Sequence, residues 1–179
     1  MIYKLKKSNF GDYAITEETY NVIKKILPEG KTILELGSGY GTNELSKHYK
    51  IYSIEHNSDW VGKYNSTYFH CPLVKQKTPI HQKEDIPEFK EWYDIDAIID
   101  QLPKNYDLLL IDGPNGDYRR TNFISHFHKF NKDAIWVFDD CHREYDLDTY
   151  KKCCHLRNVS YNIIDCGQKK IGIIDEINK

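Results

Sequence analysis

This sequence predicts an α/β fold, a mostly parallel sheet with helices on both faces, on three observations. Strand-like and helix-like segments alternate along the chain. The strands are continuous apolar runs, Leu108-Leu109-Leu110-Ile111 being the clearest, and the first strand enters a glycine-rich turn directly. A continuous apolar strand is buried on both faces, as in a parallel sheet between two helical layers. The 179 residues fit one domain, expected to span 1–179, with no linker and no internal repeat.

Taken in order, residues up to about Ala14 read as an irregular lead-in. Thr16 is a helix cap followed by Glu17 and Glu18, with Val22, Ile23, Ile26 and Leu27 on one face and Pro28-Glu29-Gly30 as the stop. Strand one is Thr32–Leu36, and the glycine turn feeds a helix from near Thr42 to about Tyr49. Strand two is Ile51–Glu55, a short helix spans Ser58–Tyr64, and strand three is Thr67–Leu73. The polar stretch 74–86 reads as loop, and Pro87–Leu102 as one broken or two short helices. Strand four, Asp107–Ile111, stops hard at Asp112-Gly113-Pro114. A helix over Arg119–Phe130 leads to strand five, Ala134–Phe138, then a polar helix over Tyr145–Leu156. Ser160–Asp165 and Lys170–Asp175, split by Cys166-Gly167-Gln168, form a closing hairpin with an antiparallel edge.

Composition excludes several classes. A net charge of −2 gives nucleic acid or an anionic membrane surface no support. No apolar run approaches a membrane span and the N-terminus lacks a signal core, so the expected location is the cytoplasm. Five cysteines, with no Cys-x-x-Cys, read as reduced buried thiols rather than a zinc site.

The turn Glu35-Leu36-Gly37-Ser38-Gly39-Tyr40-Gly41-Thr42 leaves helix-start N–H groups facing outward, where glycine lets a ligand approach the main chain. Dinucleotide-binding turns are G-x-G-x-x-G; this one is G-x-G-x-G and one residue shorter. In such a sheet the ligand lies beyond the strand C-termini, so Glu55, at the tip of strand two, is placed to accept both ribose hydroxyls. Glu35 is expected at the positive end of a zwitterionic ligand. A pyrophosphate there would be repelled by ~4 kcal/mol at close range and intermediate dielectric. The sign favours S-adenosylmethionine over NAD.

With these residues in place, the chain resembles a class I S-adenosylmethionine-dependent methyltransferase over nearly its whole length. The glycine motif falls on Glu35, Gly37, Gly39 and Gly41, with Ser38 and Thr42 in the same turn, and the ribose acid on Glu55. The runs Ser53–Val61, His70-Cys71-Pro72-Leu73, Trp92-Tyr93-Asp94, Ile111-Asp112-Gly113-Pro114 and Asp139-Asp140-Cys141-His142-Arg143 are similar to a subgroup found beside glycan-building enzymes. The resemblance implies strand order 3-2-1-4-5-7-6 with strand seven antiparallel, and O-methylation of a sugar. It also implies His56 and Cys71, with the adjoining His70, at the adenine pocket, and Asp112 near the methionine end.

In that architecture strands four and five are neighbours, so Asp112, Asp139 and Asp140 converge. Carboxylates so close require a cation between them or a retained proton. A hard ion such as Mg2+ or Mn2+ suits oxygen ligands and lowers the pKa of a bound hydroxyl, as in similar three-aspartate O-methyltransferases. The alternative is capping and turn bonding by the same acids. Some sugar enzymes carry an acid where this chain has Pro114, so the proton acceptor expected here is His142, with Asp112 beside the reacting groups. Arg119, Arg120 and Arg143 either hold an anionic or hydroxylated acceptor or pair with Asp117 and Glu144. His126 and His128 read as solvated surface, His81 shows no identifiable partner, and Trp60, Trp92 and Trp136 as mainly core, with Trp92-Tyr93 a candidate acceptor wall.

The expected partner is a sugar or other hydroxyl-bearing acceptor, and the short chain leaves room for a homodimer or a place in a larger glycan-building enzyme. A metal-independent small-molecule or protein methyltransferase, a non-catalytic nucleotide-binding module and an NAD enzyme are the competing readings.

Overall fold

The computed structural model describes residues 15–77, 79–80, 90–115, 119–167 and 169–176. Its centre is a seven-stranded sheet of β1 (Thr32–Leu36), β2 (Lys50–Glu55), β3 (Thr67–His70), β6 (Leu108–Ile111), β7 (Ile135–Phe138), β8 (Ile163–Cys166) and β9 (Lys169–Ile174), in the order β3-β2-β1-β6-β7-β9-β8. Only β9 runs antiparallel to its neighbours. Counted within this sheet, that is the expected order 3-2-1-4-5-7-6 with the seventh strand reversed.

Alternation along each strand divides the core. Leu34 and Leu36, Leu109 and Ile111, and Trp136 and Phe138 pack on one face with Trp92, Phe123 and Tyr150. Ile33, Leu108 and Leu110, and Ile135 and Val137 pack on the other with Ile15, Ile23, Leu27 and Leu45. Two covered faces explain the unbroken apolar runs.

Helix α1 (Glu17–Ile26) begins as its sequence dictates: Thr16 Oγ1 accepts the Thr19 amide at 3.1 Å, acids fill the first turn and Lys24 and Lys25 the last. Helix α2 (Tyr40–Leu45) starts earlier and ends sooner than expected. Helix α5 (Glu144–Leu156) packs Tyr150, Cys153 and Cys154 on the face of the sheet that holds Trp136 and Phe138, and the Tyr150 hydroxyl donates to the Asn162 carbonyl at 3.0 Å.

Three expectations fail. Residues 58–64 form turns, not a helix. The segment expected as helix around Trp92 is instead β5 (Glu91–Tyr93), paired antiparallel with β4 (Leu73–Lys75) in a separate two-stranded sheet; helix α3 (Ile95–Ile98) follows. Trp92 and Tyr93, both strand-favouring aromatics, are fully buried there, and that burial outweighs the helical spacing of the later isoleucines. The continuous helix over Arg119–Phe130 is replaced by 3-10 turns at Arg119–Asn122 and Phe127–Lys129 around one α-turn, α4 (Phe123–His126). Most of 74–86, with His81, lies outside the described residues.

Candidate active site

The parallel strands end at one rim, and there a cleft of about 480 Å3 opens. It is lined by Gly37 and Ser38 after β1, Glu55, His56, Asn57 and Trp60 after β2, Asp112, Gly113 and Asn115 after β6, and Arg120, Asp140, Arg143 and Lys169. Its size is within the range of small-molecule and cofactor sites.

Gly37 is a position where only glycine serves: its φ is +87°, and a Cβ there would lie 2.9 Å from the Gly113 Cα. The turns after β1 and β6 thus touch backbone to backbone. Thr42 ties the glycine turn together, its Oγ1 accepting the Gly39 amide at 3.1 Å and donating to Glu35 at 2.7 Å.

Glu55 accepts the Ser38 amide on one oxygen at 2.8 Å and the Asn57 amide on the other at 2.7 Å. Burial works against its charge, but His56 and these two amides outweigh it and hold the carboxyl below its usual range. An ionised carboxylate has about four acceptor positions, so capacity remains for a ligand's hydroxyls.

Glu35 behaves differently from its expected role. It shares a strand face with Ile33, so it points to the helix layer and away from the main cleft, where Thr42 and Ser53 hydroxyls donate to its Oε1 at 2.7 and 2.6 Å. Burial above all pushes its pKa up to about 8. It lines a narrow cavity behind the turn with Gly39, Gly41, Thr42 and Asp112. Its place is as a brace of the turn, not a wall of the cleft. Cys71 is fully buried, its thiol pushed up to about 12, chiefly by burial. His70 is exposed, with Nε2 3.2 Å from the His56 carbonyl. Neither lines the cleft, whereas His56 does.

Asp112, Asp139 and Asp140 do converge: one oxygen of each lies within 4.8 Å of the others. The spacing suits a hard cation, but protein cations already hold oxygens of all three acids; Asp139 Oδ1 is buried with no hydrogen-bond partner among the described residues. Lys169 Nζ is 2.7 Å from Asp139 Oδ2 and 2.9 Å from Asp140 Oδ1. Arg120, buried, reaches Asp140 at 3.0 Å, Asp112 at 3.2 Å and Asp146 at 3.6 Å, and donates to the Asp112 carbonyl. Arg143 holds Asp140 at 2.7 Å and Asp146 at 2.6 Å. Four carboxylates thus face three cations. Burial opposes the charge of Asp140, yet the three cations hold its carboxyl far below normal; Asp139 is pushed up by burial and its acidic neighbours. A divalent ion would have to displace Lys169, Arg120 and Arg143 from the carboxylate oxygens they now hold, so the metal expected at these aspartates does not fit the cluster as it is arranged.

His142 is not among the residues lining the cleft; it adjoins Asp140, which does, with Nδ1 4.0 Å from that carboxylate. Burial, with help from Arg143 and Lys169, lowers its pKa against the pull of Asp140. Arg120 is buried among the aspartates, and Arg119 pairs with Glu91 at 3.0 Å. His126 is half-buried, stacked on Trp92 and bonded to Gln76 at 2.7 Å, correcting its assignment to the surface. Trp60 belongs to the rim, against Tyr40 and Tyr64, while Trp92 and Trp136 are core.

Sequence reasoning missed Lys169, Asp146, Asn57 and Asn115. For Lys169 a signal existed: a strand running antiparallel begins at the rim where its neighbours end, so the first residue of β9 meets the Asp pair after β7.

No family model matches the chain, and no curated protein matches it. Solved structures do share its fold. A Staphylococcus aureus protein provisionally described as a caffeoyl-CoA O-methyltransferase aligns at a TM-score of 0.58 and 12% identity, covering 90% of this chain and 84% of that one. Fibrillarin from Aeropyrum pernix, with natively bound S-adenosyl-L-methionine, aligns at 0.51 and 14%, covering 97% and 83%. The methyltransferase MycE, in complex with Mg, S-adenosylhomocysteine and mycinamycin VI, aligns at 0.51 and 13%, covering 88% of this chain and 45% of that one. These likenesses show a Rossmann-like methyltransferase fold.

Proposed function

We propose that the chain is an S-adenosyl-L-methionine-dependent O-methyltransferase acting on a hydroxyl, with a sugar of a glycan as acceptor. The observation that carries the reading is the glycine turn facing Glu55: an ionised acid at the tip of β2, fixed by the Ser38 and Asn57 amides, beside a backbone that only glycine can form. An acid so placed suits a nucleoside's ribose; with Glu35 behind the turn, the choice of S-adenosylmethionine over a dinucleotide rests on the shorter G-x-G-x-G turn. Ligands of the fold neighbours support the choice of cofactor, and the acceptor class rests on the resemblance in the runs around Glu55 and Asp139-Asp140.

S-adenosyl-L-methionine, when bound, supplies an electrophilic methyl group on a sulfonium sulfur. Glu55, Gly37, Ser38 and His56 hold the nucleoside side of the cleft, and Asp112 stands between the two turns. His142 takes the proton from the acceptor hydroxyl as the oxygen–methyl bond forms and the sulfur–methyl bond breaks. Much of the acceleration comes from holding the reacting groups in line. A divalent ion at Asp112, Asp139 and Asp140 is not part of this reading, because Lys169 and Arg120 engage those oxygens.

Incubating the protein with methyl-labelled cofactor and a mixed glycan pool tests the reading. Label is expected in an alkali-stable methyl ether of a sugar, and His142→Ala is expected to slow its appearance by about 10²-fold or more. Label in protein or in small molecules alone rules out the glycan acceptor, and none anywhere leaves a nucleotide-binding module.

A further inference from the structure

We propose that Lys169 is the resident cation of this site: its ammonium takes the place of a divalent metal between Asp139 and Asp140 and faces the acceptor oxygen, so that transfer proceeds without metal. This deepens the proposed reading and rests on it.

Lys169 is the first residue of β9 and one of the cleft's lining residues. Its Nζ bridges the two carboxylates at 2.7 and 2.9 Å, close to both at once as a metal would be. The inner oxygens of Asp112 and Asp140 are held by guanidinium groups, while Asp139 Oδ1 is buried without a hydrogen-bond partner among the described residues. Arg120 spans from Asp140 to Asp112, and Arg143 closes on Asp140 from the start of α5. Arg120 is buried and itself fixed by Asp146, so it cannot swing into solvent to clear the site. Of the three cations Lys169 alone bridges Asp139 and Asp140, and its side chain is about one-fifth exposed, so its presence decides whether a metal can enter between that pair.

Asp140 adds a second, independent sign that the arrangement is built. It holds a left-handed backbone conformation, φ +59°, uncommon outside glycine and tolerated by aspartate when its surroundings fix it. That conformation sets the carboxylate between Lys169, Arg120 and Arg143. A positive group facing the cleft stabilises negative charge developing on a hydroxyl oxygen as its proton leaves, the service a metal renders elsewhere. An ammonium does so with hydrogen-bond donors and without open coordination positions.

Titration with Mn2+, followed by the electron paramagnetic resonance signal of the free ion, tests this on the full chain with and without S-adenosylhomocysteine. Wild type is expected to leave Mn2+ free up to about 1 mM, while Lys169→Ala binds it at least about tenfold more tightly and Lys169→Arg does not. Stoichiometric uptake by wild type in the micromolar range overturns the proposal, and so does a Lys169→Ala protein that binds Mn2+ no better than wild type. Should Lys169→Ala fail to fold, Lys169→Gln, which keeps the length and loses the charge, carries the same comparison. Calorimetry with S-adenosylhomocysteine in chelator, run in parallel, reports on the cofactor reading alone, so failure of one is not mistaken for failure of the other.

Discussion

Glu35 shows how one side chain is set by its strand parity. It follows Leu34 on β1, so it faces the helix layer with Ile33, and there it can be held only by hydroxyls: Thr42 and Ser53. Burial raises its pKa from 4.5 to about 8. The folded state therefore keeps a proton that the unfolded chain gives up, and this contribution, full below the unfolded value, is lost as pH rises through about 8. Glu35→Gln keeps the accepting oxygen and removes the titration. Its melting temperature should fall less than that of wild type between about pH 5 and pH 8.5 in thermal unfolding followed by circular dichroism. Equal slopes for the two proteins would show that Glu35 is ionised in the fold. The acid itself was legible in the sequence; its direction was not, because the glycine motif suggested a ligand while the alternation of β1 put the carboxylate behind the turn.

At the scale of elements, the rim depends on the close crossing of the turns after β1 and β6. A Cβ at Gly113 would lie 2.4 Å from the Tyr93 hydroxyl and 2.7 Å from the Gly37 Cα. One neighbour is backbone and the other a fully buried ring, so neither gives way easily. Gly113→Ala should cost about 1–3 kcal/mol, read as a lower midpoint in urea unfolding with an unchanged slope, and should weaken cofactor binding as well. A variant with wild-type midpoint and affinity would mean that the two turns do not depend on this contact. The strands of the main sheet were readable because their apolar runs are long and end in glycine, proline or acidic stops. The β4–β5 pair was not: each strand spans three residues, too short to show a period, and its partner lies across a polar stretch. What fixes it is the burial of Trp92 and Tyr93, a tertiary effect that local pattern does not carry.

For the whole molecule, sheet topology explains why so many polar groups meet. Five parallel strands, β1, β2, β3, β6 and β7, end at one rim, and β9, reversed, begins there. Glu55, Asp112 and the Asp pair could be placed from strand ends alone. The pairing of Arg120 with the aspartates and the presence of Asp146 required the three-dimensional neighbourhood, and Lys169 could be placed only from the reversal of β9. That is also why the metal was expected: the sequence displays the acids in short, recognisable runs and scatters the cations that neutralise them. All five cysteines are buried and free of disulfides, and no helix among the described residues is long and apolar enough to cross a membrane. The account as a whole stands on the cleft beside Glu55 receiving a sulfonium nucleoside. Isothermal titration with S-adenosylhomocysteine tests it most directly: wild type should bind one equivalent with Kd in the range of about 1–100 µM, weakened about tenfold or more in Glu55→Gln. No binding by the wild-type protein, or an affinity that Glu55→Gln leaves untouched, would contradict it.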